Sequence, residues 1–323
     1  MDGLHIFRMD RLWYDEEKRL KLRKEKTMLD NRIATFLTVC HHMNFTKAGE
    51  ELSLTQPAVS QHIHYLEELY GVKFFEFKGK KMFLTEEGKT FLNYAKTMRH
   101  NDICLKEKLD MMKQQKTLLN FGATLTIGEF LMPQCLSAYL KKNPNLMVKM
   151  QVANTKELLE KIDEGEIDFA FVEGYFSKEE YDSMLYSREE YIAVCGRQYP
   201  FKKEPIWLED LFSERIIIRE KGSGTREIFE KAISEQNVSI DDFLYIAEVG
   251  NIQTIKRLTE ENLGITFLYR AAVQEEIENG KLRELKLKNF QSSHDFNCIW
   301  RKGSMFEDRY RKIFYDMKQQ EKE

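Results

Sequence analysis

NFTKAGEELSLTQPAVSQHIHYLEELYG, which spans residues 44–71, has the pattern of two short helices joined by a tight turn. Thr46 is predicted to cap the first helix, because a threonine hydroxyl can accept one of the unpaired amide hydrogens of a first helical turn. Ser53 and Leu54 interrupt the helical spacing, and Thr55 is predicted to cap the second helix. The stretch therefore predicts a helix-turn-helix.

The second of these helices has one apolar face and one polar face. Its apolar residues recur at three- and four-residue steps, as on a buried helical face: Val59, Ile63, Leu66 and Leu69. Its polar face carries short hydrogen-bonding side chains: Gln56, Ser60, Gln61 and His64. Such side chains suit base edges and phosphates, so we predict a recognition helix. A surface hairpin without a DNA partner has the same pattern, and the residues that follow favour DNA.

Two short apolar runs, 72–75 and 82–84, flank the basic turn Lys78-Gly79-Lys80-Lys81 and predict a hairpin wing. The whole DNA-binding segment is close to neutral, so phosphate contacts are expected locally, at the wing lysines, Lys47 and helix N-termini. The expected DNA-binding residues are Thr46, Lys47, Thr55, Gln56, Ser60, Gln61, His64, Lys78 and Lys80.

In its consecutive elements FTKAGEEL, LTQPAVSQHIHYLE, LYGVKFFE and LTEEGKTFL, the chain resembles the LysR-type transcriptional regulators. The resemblance extends over nearly all of the chain from Met28 onward. It implies an α/β protein with an N-terminal winged helix-turn-helix, a long linker helix that dimerises, and a two-lobed effector domain like that of periplasmic binding proteins. Gly49 and Gln61 stand where family members often have alanine and arginine, so an operator preference does not carry over to this chain.

A seven-residue apolar spacing follows the wing, in a helix that Thr85 is predicted to cap. The spaced residues are Phe91, Met98, Leu105 and Met112, with Ala95 and Leu109 offset by four. Such a seam is typical of helices that pair, although a long helix packed on its own domain can also show it. We therefore expect a homodimer or homotetramer on a dyad-related site in double-stranded DNA.

These patterns and the resemblance divide the chain into four segments. They are an N-terminal extension (1–27), the winged helix-turn-helix domain (28–86), the linker and dimerisation helix (87–115) and the effector-binding domain (116–323), with lobe I at 116–192 and 267–323 and lobe II at 193–266. The extension has three readings: a charged arm, an extra helix, or upstream sequence that is not translated. The third is favoured, because Lys24-Glu25 can be encoded by a ribosome-binding sequence two codons before Met28.

Composition limits the remaining classes of protein. With 42% hydrophobic and 32% charged residues, the chain can bury sizeable cores. It has no apolar run of roughly 20 residues and no apolar secretory core, so a cytoplasmic protein without a membrane partner is expected. Its five cysteines are scattered and form no C-x-x-C pair, which argues against a disulfide framework and against a zinc site. No metal or other cofactor is expected.

From Leu118 the chain alternates strands with helices, and two strand-to-helix turns could hold a ligand. One turn is Lys221-Gly222-Ser223-Gly224-Thr225-Arg226, which lacks the spacing of a nucleotide-binding P-loop, and the other carries Thr124 and Thr126. Helix N-termini that face each other across a cleft suit a small anion, with a polyol as second choice, whereas helix capping alone is the simpler alternative. The candidate effector-binding residues are Thr124, Thr126, Glu173, Ser223, Gly224, Thr225, Arg226 and Asn251.

The predicted function is regulation of transcription by effector-controlled DNA binding, with RNA polymerase as a further partner. A redox sensor acting through Cys195 is the alternative. A solute-binding protein should have an export signal and no winged helix. An enzyme is not expected, because no nucleophile or catalytic pair stands out among the carboxylates, histidines and cysteines.

Overall fold

The computed structural model describes residues 29–319, which form two units. One unit ends at Met98 and the other begins at Arg99. The predicted extension 1–27 lies outside the described residues. Within 29–319, no helix is long and apolar enough to cross a membrane.

The first unit is the predicted winged helix-turn-helix. Its elements are α1 (Asn31–His42), α2 (Phe45–Leu52), α3 (Gln56–Tyr70), β1 (Phe75–Lys78), β2 (Lys81–Leu84) and the first part of α4 (Glu86–Lys113). The two strands pair antiparallel from Phe75–Leu84 to Lys78–Lys81, so the hairpin turn is Gly79-Lys80. Gly79 has a φ of +65°, a backbone angle that glycine adopts without steric cost.

The caps of the two central helices agree with the sequence in one case only. Thr55 caps α3, because its Oγ1 accepts a hydrogen bond from the Ala58 amide at 3.3 Å. The prediction that Thr46 caps α2 is wrong: Asn44 is the cap, and its Oδ1 accepts from the Lys47 amide at 3.0 Å. Asparagine and threonine are both good caps, and the helix starts earlier than the threonine suggested.

An aromatic cluster forms the core of the first unit. The ring of Phe36 lies 5.2 Å from Phe74 and 4.8 Å from Phe91, and the last two rings stack at 4.4 Å. Val59, Ile63 and Leu66 pack into the same core, as predicted. Leu69 does not: it is 60% exposed, because the last turn of α3 extends beyond the core.

The long helix α4 is capped by Thr85, whose Oγ1 accepts from the Gly88 amide at 2.9 Å. The residues of the predicted seven-residue seam do not form one face that is available for pairing. Phe91 and Ala95 are buried in the core of the first unit, and Leu105 packs against the core of the second. The apolar residues that α4 leaves exposed are Tyr94, Met98, Leu109 and Met112.

The second unit is built around one mixed sheet. Its elements after α4 are β3 (Thr117–Ala123), a π-helical turn (Ile127–Leu131), α5 (Met132–Lys142), β4 (Leu146–Val152), α6 (Thr155–Asp163), β5 (Phe169–Val172), β6 (Tyr181–Gly196), β7 (Arg215–Ile218), α7 (Gly224–Ser234), β8 (Tyr245–Glu248), α8 (Ile252–Glu260), β9 (Ile265–Tyr269), α9 (Arg270–Glu278), β10 (Leu282–Leu285), β11 (Ser292–Arg301) and α10 (Glu307–Gln319). The strand order is β4-β3-β5-β11-β6-β9-β7-β8, and β10 also pairs with β6.

The lobes share strand β6, which is 16 residues long. Its first part pairs with β11 in lobe I, and its last part pairs with β9 and β10 in lobe II. Lobe II therefore extends through β10, and the chain returns to lobe I at β11 rather than at residue 267. The predicted lobe boundary was wrong because α9 and β10 were not recognised in the sequence.

Candidate functional site

The polar face of α3 projects away from the core of the first unit. Gln56 Nε2 donates a hydrogen bond to Ser60 Oγ at 2.9 Å, which orders the two side chains on the first turns of the helix. Gln61 is exposed, and His64 lies farther along, with Nε2 3.1 Å from Glu68 Oε1. The four residues thus lie where a recognition helix would present them to DNA.

The expected phosphate contacts lie on exposed positions of the same unit. Lys78 and Lys80 flank Gly79 at the wing tip, and Lys47 is exposed on α2. Lys78 Nζ lies 3.0 Å from Glu76 Oε1, a surface ion pair that a phosphate could replace. Thr46 lies on the same helix, although it caps no helix.

If Gln56 and Ser60 contact base edges as the sequence predicts, replacing either with alanine should weaken specific DNA binding by about 1–3 kcal/mol. Non-specific binding should change less. Lys80→Ala is the matched control: it removes a predicted phosphate contact, so it should weaken binding to operator and random DNA alike and reduce the salt slope by about one. Titration of both DNAs at several salt concentrations measures this. Equal losses on the two DNAs for Gln56→Ala would contradict base contact.

The second constellation lies where strands of the two lobes end. Thr124 follows β3, Thr155 opens α6 after β4, and Glu173 follows β5. In lobe II, Arg219 follows β7, and residues 223–225 form the start of α7. β3 runs parallel to β4 and β5, so three of these strand ends lie at one edge of the lobe I sheet, which is the usual ligand position in open α/β sheets.

The two lobes contact each other at this cleft. Thr225 Oγ1 in lobe II donates to Glu173 Oε1 in lobe I at 2.6 Å. A Cβ atom added to Gly224 would lie 3.0 Å from Thr155 Oγ1 and 3.1 Å from the Gly174 nitrogen, so a glycine is needed for this close approach. The two lobes are therefore in direct contact at the cleft.

Several buried polar atoms of the cleft have no hydrogen-bond partner. They are Thr124 Oγ1, Thr126 Oγ1, Thr155 Oγ1, Glu173 Oε2, Arg219 Nη1 and Ser223 Oγ. All six side chains are at least nine-tenths buried. A buried polar atom without a partner is costly, so this concentration indicates a site that a ligand completes.

One acidic and one basic group lie among these atoms. Burial raises the pKa of Glu173, while the nearby hydroxyls of Thr225 and Thr126 and the charge of Arg219 lower it in part. Arg219 donates from Nε and Nη2 to the carboxylate of Glu220 at 2.8 and 2.9 Å, which leaves Nη1 available. The cleft can thus offer both donors and a carboxylate acceptor.

The other predicted residues have structural partners. Arg226 donates to Glu230, to Glu248 and to the Arg219 carbonyl, so its contacts lie within lobe II. Asn251 caps α8 by accepting from the Thr254 amide at 2.9 Å. The capping role considered for Thr126 is wrong, because its side chain makes no cap hydrogen bond.

Arg219 and Thr155 were missed by the sequence analysis. Arg219 reads as the end of a buried strand, and Thr155 as the residue after the helix cap Asn154, whose Oδ1 accepts from the Glu157 amide at 2.9 Å. The available signal was their position, since each follows a strand that ends at the cleft. That their polar atoms lack partners is visible only in the structure.

Neither a separate cavity nor any metal site among the described residues gives a stronger candidate than the cleft. A cavity of about 160 Å³ lies elsewhere in the second unit, between α4 and lobe I, with Cys104, Asp168 and Arg309 among its lining residues. Among the residues that the structure describes, no three His, Cys, Asp or Glu side chains are grouped as a metal site requires. The cleft is the better candidate for a ligand site, because it gathers the unpartnered buried atoms.

Comparisons with known proteins match both units. Residues 31–89 match the family described as "Bacterial regulatory helix-turn-helix protein, lysR family". Residues 113–311 match the family "LysR substrate binding domain". The HTH-type transcriptional activator CmpR of Synechocystis sp. is 30% identical over 275 residues, which cover 84% of this chain and 89% of CmpR. A probable RuBisCO transcriptional regulator of Cyanophora paradoxa is 28% identical and covers 76% of this chain and 78% of its own.

Solved structures share the fold. A mutant of Corynebacterium glutamicum OxyR with bound H2O2 has a TM-score of 0.57 at 19% identity, covering 93% of this chain and 94% of its own. The regulatory domain of CcmR from Synechocystis PCC6803, in complex with 2-PG, has a TM-score of 0.56 at 21% identity, covering 62% and 96%. Identities this low support the common fold alone.

Proposed function

Because the chain belongs to the lysR family of bacterial helix-turn-helix transcription regulators, we propose that a small effector held between its two lobes controls its binding to DNA. The effector would occupy the cleft between Thr124, Thr126 and Glu173 on one lobe and residues 223–225 on the other. The observation that carries this proposal is the group of six buried polar atoms without partners. A ligand that pairs with them favours the closed lobes by differential contact.

The effector is proposed to carry a negatively charged group. The amides at the start of α7 lie at the positive end of the helix, beside the free Ser223 hydroxyl. Arg219 Nη1 adds a charged donor. The CcmR regulatory domain, which has the same fold, was solved with 2-PG. A polyol remains the second choice, since hydroxyl groups also satisfy hydroxyl donors and acceptors.

The regulator is further proposed to bind a dyad-related operator as a homodimer or a homotetramer. The exposed apolar residues of α4 support pairing of this helix between subunits, since an apolar stripe of this kind is usually covered. Contact with RNA polymerase stays a prediction.

A redox switch at Cys195 is the less favoured alternative. The thiol is fully buried in β6, and burial raises its pKa to about 12. Since the thiolate is the reactive form, such a thiol reacts slowly at neutral pH.

Thr124→Val and Ser223→Ala should each abolish stabilisation by an effector, because each removes a buried hydroxyl that has no hydrogen-bond partner within the protein. Wild-type protein should show a rise of several degrees in Tm with at least one member of a panel of the standard amino acids, small carboxylic acids, sulfate and phosphate. Ser234→Ala, at the far end of α7, is the matched control and should respond like the wild type. If every ligand that stabilises the wild type also stabilises both cleft variants to the same extent, the effector lies elsewhere.

A further inference from the structure

We propose that the effector is a zwitterion, a small acid that also carries a protonated amine, with the amine on the Glu173 carboxylate and the acid group between Arg219 and the start of α7. The inference rests on the proposed effector site and names the chemical class of its ligand. It replaces the simple anion by a molecule with two poles.

The amine pole follows from the surroundings of Glu173. This side chain is 1% exposed, and its Oε1 accepts from Thr225 Oγ1 at 2.6 Å. Its Oε2 is buried and has no partner in the structure. A carboxylate oxygen in such a position requires a donor, and an ammonium group supplies both the donor and the opposite charge.

The acid pole follows from the opposite lobe. Arg219 is 3% exposed, and its Nη1 is the guanidinium donor that the pair with Glu220 leaves without a partner. Ser223 precedes α7 without capping it, so its hydroxyl can serve a ligand. A guanidinium donor, a hydroxyl and a helix N-terminus together match a carboxylate or another small oxyanion.

The charges of the cluster distinguish a zwitterion from a simple anion. With Glu173 ionised, the two carboxylates of Glu173 and Glu220 stand against the single guanidinium of Arg219, which leaves one net negative charge. A simple anion would add a second negative charge in a closed cleft, where charge repulsion is little screened. A zwitterion adds no net charge and places its positive end on the carboxylate of Glu173, whose buried Oε2 has no hydrogen-bond partner.

The competing arrangement is a simple anion that binds together with a proton on Glu173. Burial raises the pKa of this carboxyl, so a neutral acid that donates to an anion is chemically reasonable. Glu173→Gln separates the two arrangements. A glutamine amide can donate to an anion as a neutral acid does, but it cannot balance the charge of an ammonium group.

The test is calorimetric titration of the full chain with the standard amino acids, with sulfate and phosphate, and with the amine-free counterpart of each amino acid that binds, such as acetate for glycine and propionate or lactate for alanine. We expect at least one amino acid to bind about 100-fold more tightly than its amine-free counterpart. Glu173→Gln should lose about 100-fold in affinity for it. Glu235→Gln, which changes an exposed carboxylate at the end of α7, is the matched control and should bind like the wild type.

Two results would overturn the zwitterion, and both can be distinguished from a result that overturns the proposed effector site. Binding of an amine-free acid, sulfate or phosphate with unchanged affinity in Glu173→Gln would identify a simple anion. Binding of none of the amino acids would also exclude the zwitterion. In both cases the cleft is still the effector site if an amine-free acid, sulfate or phosphate binds the wild type and Ser223→Ala abolishes that binding. If a ligand binds the wild type and neither Glu173→Gln nor Ser223→Ala changes its affinity, the proposed site itself is wrong.

Discussion

Replacing Met98 and Met112 together with glutamate is expected to produce a monomer that binds operator DNA on the order of 100-fold more weakly. The two side chains are 40% and 65% exposed, so the change should not disturb the core of either unit. Tyr94, Met98, Leu109 and Met112 follow one another along α4 at spacings of 4, 11 and 3 residues. At 3.6 residues per turn, these spacings place the four side chains within about 60° of one another around the helix. Charges on this stripe would have to be buried if two copies of α4 pair.

The choice of positions follows from the structure. Charges at Phe91 or Leu105, which belong to the predicted seam, would fall in the cores of the two units and would reduce stability as well as pairing. Lys89→Glu places a charge change of similar size on the opposite face of α4 and is the matched control for association. Sedimentation of the three proteins measures the result. If the double variant Met98→Glu/Met112→Glu still sediments as a dimer, the interface lies on another surface.

The second large effect is expected for Arg301→Met, which should lower the free energy of unfolding of the effector domain by about 3–5 kcal/mol. Arg301 is fully buried in β11, and its Nη1 lies 2.9 Å from Asp163 Oδ1 and 3.1 Å from Glu180 Oε2. Its guanidinium also lies 5.3 Å from the centre of the Tyr181 ring. Removing the guanidinium leaves the largely buried carboxylate of Asp163, which is 14% exposed, beside the carboxylate of Glu180 without the positive charge that separates them.

Arg188→Met is the matched control for that change. Arg188 also forms a two-pronged pair, with Asp295 at 2.6 and 3.1 Å, but its side chain is 67% exposed. Water and salt screen such a pair, so its loss should matter little. Urea unfolding followed by tryptophan fluorescence compares the variants, since Trp300 adjoins Arg301 in the core. Similar midpoints for the two variants would show that the buried pair contributes little.

The amphipathic helices were the most predictable part of the fold. In α3 the apolar spacing and the Thr55 cap are local features, and each appears in the structure where the sequence placed it, apart from the exposed Leu69. Strand β11 was not predicted: its polar residues give no continuous apolar run, and it is fixed by pairing with β5 and β6, which are distant in sequence. Long-range pairing of this kind leaves little local signal.

The candidate site was predictable to a similar degree. Thr124 and Ser223 could be placed in it, because a hydroxyl at a strand-to-helix turn is visible in the sequence. The role of Arg219 depends on which of its nitrogen atoms Glu220 occupies, and that is a property of the folded chain. The exposed stripe of α4 could not be predicted for a related reason. Apolar spacing does not distinguish a residue that packs on its own unit from one that can pack on a second chain.

Strand β11 also has a genetic consequence. It lies between β5 and β6 and completes the pairing of lobe I, yet it is encoded after all the strands of lobe II. A premature stop codon between β10 and β11 would therefore leave the edges of β5 and of the first part of β6 uncovered, even though most of lobe I had been synthesised. Such an allele should behave as a complete loss of the sensor domain and should yield an aggregation-prone product rather than a regulator with one working lobe.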